Sequence, residues 1–150
     1  MFRSRKFSPT EISIIAIVVA VVAIVCVLAV RSYYHYFLRG RIIDAVSTLA
    51  EMRTKMERYF KENLTYDKPG APPCGAVGTS VAPLPTDPHF TFTCPSLSAT
   101  QFTVVATGTG SMSGFQYSID QNNNRFTPAL PPGWSGAGSP CWVTRPDGSC

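Results

Sequence analysis

Chemistry in this 150-residue chain would have to come from five cysteines, two histidines and nine carboxylates. His35 and His89 each stand without a second histidine at ligand spacing, so neither fits a helical metal pair. Cys26, Cys74, Cys94, Cys141 and Cys150 contain no C-x-x-C step, which argues against zinc. No serine lies in a nucleophile elbow, and Gly108-Thr-Gly110 is too short to cradle a phosphate. Neither an enzyme nor a cofactor or metal site is expected. The cysteines offer cross-linking instead. Cys74, Cys94, Cys141 and Cys150 all fall in the polar C-terminal part. An even set in a small head reads as two disulfides made in an oxidising compartment. The pairing 74–94 and 141–150, one of three possible, ties a long loop to a strand and closes a short terminal loop. Cys26 sits in an apolar run and reads as an inert thiol.

Charge narrows the partners. The chain carries +4, but Arg3, Arg5 and Lys6 form an N-terminal cluster. From Arg31 onward ten Lys/Arg face eight Asp/Glu, leaving only +2. Nucleic-acid binding normally shows as a dense basic face, so no specific nucleic-acid partner is expected on this count.

The elements that position these residues begin with a membrane segment. Residues 12–30 are apolar apart from Ser13. Nineteen residues at about 1.5 Å each span roughly 28 Å, close to a bilayer core. The preceding basic cluster favours a cytoplasmic N-terminus, while the cysteines place the head in the periplasm. Val27-Leu28-Ala29 could serve as a signal cleavage site, but no polar break follows. Instead the helical pattern continues through residues 31–66, with Ile42, Val46, Leu49, Met52, Met56 and Tyr59 on one face and Ile43, Ala50 and Phe60 beside it. Tyr33, Tyr34 and Tyr36 form an interfacial aromatic belt just past the apolar run. Asn63 and the prolines after Tyr66 end the helix.

Residues 67–88 are rich in Pro and Gly and read as a connecting loop. In residues 89–150, alternation predicts strands at 89–94, 102–106 and 115–119, with a short fourth at 125–127 after the Asp120–Asn124 turn. Sequential strands with short links make an antiparallel meander of three to four strands, packed on the amphipathic half of the helix: an α+β layer. Trp142 lies beside Cys141 in the terminal loop. Trp is enriched at binding hot spots, which makes Trp142 a candidate partner contact; packing across the disulfide is its other available role.

The stretch Arg31-Ser-Tyr-Tyr-His-Tyr-Phe-Leu-Arg-Gly-Arg-Ile-Ile-Asp-Ala, then Met56-Glu-Arg-Tyr-Phe-Lys-Glu-Asn-Leu-Thr-Tyr66, resembles type IV pilins. It is closest to minor pilins whose helix ends in a tyrosine-rich E-x-Y-F/Y-x-x-N-x-T-Y pattern. Gly108 to Arg125, Pro132-Gly-Trp134 and Cys141-Trp142 to Cys150 extend the resemblance to the C-terminus. It implies a type IV pilin-like fold and a structural subunit, anchored in the inner membrane and assembled into or initiating a pilus. The implied partners are other pilin subunits, the assembly machinery and a prepilin peptidase. An unprocessed membrane-tethered binding module and a secretion-system pseudopilin are the alternatives; a third, a competence pilin binding DNA, is not supported by the modest charge of the head.

The N-terminus departs from the family pattern of a basic leader, Gly, then Phe-Thr-Leu-Ile-Glu. Here Lys6 precedes Phe7 where Gly should stand, so the peptidase is expected to cut poorly between them. Glu11 then has two roles open. As the fifth mature residue it would set subunit register by neutralising a neighbour's N-terminal amine, since an unpaired buried carboxylate is costly. Alternatively, Ser8-Pro-Thr-Glu11 is a helix start, with Ser8 as N-cap and Glu11 closing a capping box.

Overall fold

The structure is a computed structural model, which describes residues 9–67 and 84–150. One helix, α1, runs Pro9–Asn63; the chain divides into two compact units, residues 1–37 and 38–150. In the first unit Ile14 to Val30 expose their side chains all round, and the helix is long and apolar enough to cross a membrane. A run of β-branched residues is a poor helix in water, but in lipid only the helix satisfies its own backbone. Pro9 starts it where a missing N–H costs nothing, and Glu11 lies exposed in the first turn. Lys6, Phe7 and Ser8 lie outside the described residues, as does Cys74.

In the second unit, α1 buries Leu38, Ile42, Ala45, Leu49, Met52 and Met56, steps of four and three that keep one face toward the core. The predicted stripe is turned slightly: Val46, Ala50, Tyr59 and Phe60 flank it, and Ile43 is exposed. Against this face lies a sheet of four strands in the order β1-β2-β3-β4, all antiparallel: β1 Phe90–Leu97, β2 Phe102–Gly108, β3 Gln116–Asp120 and β4 Arg125–Ala129. Phe90, Phe92, Phe102, Val104, Ala106, Tyr117 and Ile119 fill the layer between sheet and helix.

All four predicted strands are present; β1, β2 and β4 are longer than alternation alone indicates, and β3 is shifted by one residue. β1 continues through Pro95, which a central strand would not tolerate. Here β1 is an edge strand, and its register shifts between Thr93 and Ser96. Between β2 and β3 the chain makes a 3-10 turn at Gly110–Met112. Gly108 permits it, because a Cβ there would sit 1.9 Å from the Met112 carbonyl oxygen.

Register places the 98–101 and 120–124 turns at one end of the sheet, and the β2–β3 connection at the other. The helix follows the same direction. Arg41 donates to Ser111 Oγ at the β2–β3 end, and Tyr66 N–H donates to Ala99 O (3.0 Å) at the hairpin-turn end.

Candidate nucleic-acid interface

The hairpin-turn end gathers a set of directional polar groups. Asp120 organises the β3–β4 turn: Oδ1 accepts the N–H groups of Asn122 and Asn124 (both 2.9 Å), and Oδ2 accepts Asn124 Nδ2 (2.7 Å). Asn123 holds φ +63, a conformation Asn tolerates better than most residues. The turn thus presents Asn122 and Asn123 outward on a fixed backbone. Gln121 fastens it to its neighbours, taking Phe102 N–H on Oε1 (3.1 Å) and an Arg53 Nη2 donor on its carbonyl (3.5 Å). Ser98 Oγ accepts Gln101 N–H (3.1 Å) in the adjoining turn.

Arg125 leaves the β3–β4 turn at the start of the edge strand β4, its guanidinium 4.8 Å over the Trp142 ring. Trp142 is 8% exposed, and its Nε1 donates to Ser118 O (2.9 Å). The group presented to solvent at this position is therefore the Arg125 guanidinium. Stacking on the indole fixes that cation in place.

The terminal loop is held to the sheet by buried hydrogen bonds. Thr127 Oγ1 donates to Cys141 O (2.6 Å) and accepts Val143 N–H (3.0 Å). Tyr117 OH donates to Val143 O (2.9 Å), and burial raises the pKa of that phenol. Thr127 also bridges Ser139 through the backbone. The disulfide Cys141–Cys150 closes the loop, its Cα atoms 6.1 Å apart. Cys94 is also disulfide-bonded, and Cys26 is the free cysteine among the described residues. Inside the loop Asp147 accepts both N–H and OH of Ser149, which lowers its pKa, and Arg145 nearby acts in the same direction.

Several carboxylates of the head are thus engaged by its own fold. Asp87 caps the N–H groups of His89 and Phe90, and Glu57 accepts Tyr66 OH (2.8 Å). Burial first, and Glu57 second, push the Tyr66 phenol up to about 12. Glu51 pairs with Lys55, and Glu62 with Arg58. Arg53, Lys61 and Arg125 make no ion pair among the described residues. Nor does any His/Cys/Asp/Glu group there suit a metal.

A long helix, apolar first and amphipathic afterwards, under a four-stranded meander with a disulfide-closed tail is the architecture of a type IV pilin. The family model that matches is described as "Type IV minor pilin ComP, DNA uptake sequence receptor" and spans residues 32–125. This chain belongs to that family of type IV minor pilins and is not an enzyme. Among solved structures, the non-core minor pilin PilV of Neisseria meningitidis is similar, at 19% identity and a TM-score of 0.48. That alignment covers 69% of this chain and 97% of that one. No curated protein matches.

The family description overturns the expectation of no specific nucleic-acid partner. Net charge misled because it is a sum. A total does not say where on the folded head the cations and the carboxylates lie. The fold brings the Gln- and Asn-bearing turns together with Arg53 and Arg125, which a charge total does not show.

Proposed function

We propose that this minor pilin binds duplex DNA with the hairpin-turn end of its head, as a receptor for DNA entering by way of a pilus. The family match is the observation that carries this reading, since it names a DNA uptake sequence receptor and covers Arg53, Gln101 and the 120–125 turn. The chemistry of the end supports it. Guanidinium groups supply phosphate contacts and bidentate reading of guanine, and side-chain amides match adenine edges. Arg125 and Arg53 are the proposed cations; Gln101, Asn122 and Asn123 are the proposed readers of base edges. Trp142 serves the interface as the platform under Arg125.

The apolar half of α1 would hold the subunit in the inner membrane and then in the fibre, with Glu11 at its start in either of its two roles. Titrating duplex DNA against the full chain in detergent tests the DNA reading. Arg125→Gln should weaken binding and lower the slope of log K against log salt by about one unit. An unchanged slope in both Arg125→Gln and Arg53→Gln would refute the assignment.

A further inference from the structure

The helix ends in a left-handed turn that carries the chain on to the buried Tyr66. Leu64 sits just past the last helical residue with φ +57, and its N–H donates to Phe60 O at 2.7 Å. This single bond from the first residue past the cap to the carbonyl four back is the left-handed helix stop, a position usually filled by Gly and sometimes by Asn. A branched side chain in that conformation is strained. The usual return for an apolar residue here is a contact with the residue four back. The Phe60 ring stacks on Tyr66, with centroids 4.5 Å apart. Leu64 is instead 79% exposed. It carries backbone strain and gains little burial.

Its place is specific. Two residues on, Tyr66 N–H is bonded to Ala99 O, which pins the cap to the β1–β2 turn. That turn joins the β3–β4 turn through the Phe102–Gln121 bond. Leu64, Gln101 and the Asn122–Asn123 tip therefore belong to the same end of the head. Strain held at an exposed residue points to a use for that residue.

We infer that Leu64 is an apolar prong that packs against DNA bound at this end, on a deoxyribose or into an opened base step. The inference rests on the DNA-binding reading above. Apolar wedges of this kind enter the minor groove between base steps, where they add contact without charge. Proximity to the carboxamide- and arginine-bearing turns favours DNA over a second pilin as the occupant.

The full chain in detergent, a fluorescein-labelled mixed-sequence duplex and a series of salt concentrations provide the test. Leu64→Gly and Leu64→Asn relieve the strain, so both should raise Tm. Both should also weaken DNA binding by roughly ten-fold, the effect of losing one packed leucine. The salt slope should stay at the parent value, because no phosphate contact is removed. Leu64→Met should retain most of the affinity. If both variants bind as tightly as the parent while Arg125→Gln still lowers the slope, the prong is wrong and the DNA reading stands. If the parent does not bind the duplex at low salt, both fall.

Discussion

Replacing Thr127 by Val removes one oxygen from the join between the sheet and the terminal loop while keeping the side-chain volume. Thr127 is fully buried, and its hydroxyl is both donor to Cys141 O (2.6 Å) and acceptor from Val143 N–H (3.0 Å). Val143 is fully buried as well. The substitution therefore opens no cavity but leaves a carbonyl and an amide without their partner. Each buried group left unpaired costs about 1–3 kcal/mol. Cys141 is only half-buried, and its carbonyl can recover part of that from water, so about 2–4 kcal/mol is expected in total. For a head of this size that corresponds to a Tm lower by about 10 °C or more. Thr127→Ser keeps both bonds and loses only a methyl, about 1 kcal/mol. Urea unfolding of parent, Thr127→Val and Thr127→Ser under non-reducing conditions is the assay. A loss below about 0.5 kcal/mol for Thr127→Val, the range of ordinary surface changes, would refute the view that this hydroxyl anchors the loop.

The same join yields a second prediction. Trp142→Phe removes the donor to Ser118 O and should cost about 1–2 kcal/mol in unfolding experiments; it should also weaken DNA binding, because Arg125 loses the better part of its stacking platform. The pH dependence is set by phenols. Tyr66 has its pKa raised from 10.0 to about 12, so its contribution to stability is complete below pH 10 and disappears as the pH rises through about 12. Phenolate absorbance should show Tyr66 ionising together with unfolding, whereas ionisation of all six tyrosines near pH 10 in folded protein would contradict the burial assigned to it. At the N-terminus, mass spectrometry of protein from cells with the prepilin peptidase should find much of the chain still carrying Lys6, and Lys6→Gly should shift it to a start at Phe7; complete cleavage before Phe7 in the parent would show that the lysine is no obstacle.

Much of this architecture is legible in the sequence because the patterns that encode it are local. Steps of three and four from Ile42 to Met56 mark the buried face of α1, and alternation at Phe90-Thr-Phe and Phe102-Thr-Val marks strands. What escapes is whatever depends on where chain segments meet. Ile43 reads as part of the stripe, yet it turns outward because Leu38 and Ala45 set the axis of contact. Thr127 reads as an ordinary strand residue, and nothing nearby in sequence reveals that Cys141 and Val143 arrive to use its hydroxyl. The end proposed to bind DNA escapes for the same reason. Arg53, Gln101, Gln121 and Arg125 are scattered over more than seventy positions, and a charge total cannot show where each charge lies on the folded head. Leu64 looks like one more apolar residue near a helix end until its φ and exposure are seen together.

DNA binding at the hairpin-turn end is tested most directly by fluorescence anisotropy of the full chain in detergent. Two duplexes of equal length and composition serve as probes, one carrying the most frequent short repeat of the source genome and the other its scramble. The repeat should bind roughly ten-fold or more tightly than the scramble, with the preference reduced in Asn122→Ala and Asn123→Ala and overall affinity reduced in Arg125→Gln. Equal binding of both duplexes, or none to either at low salt, would contradict the account.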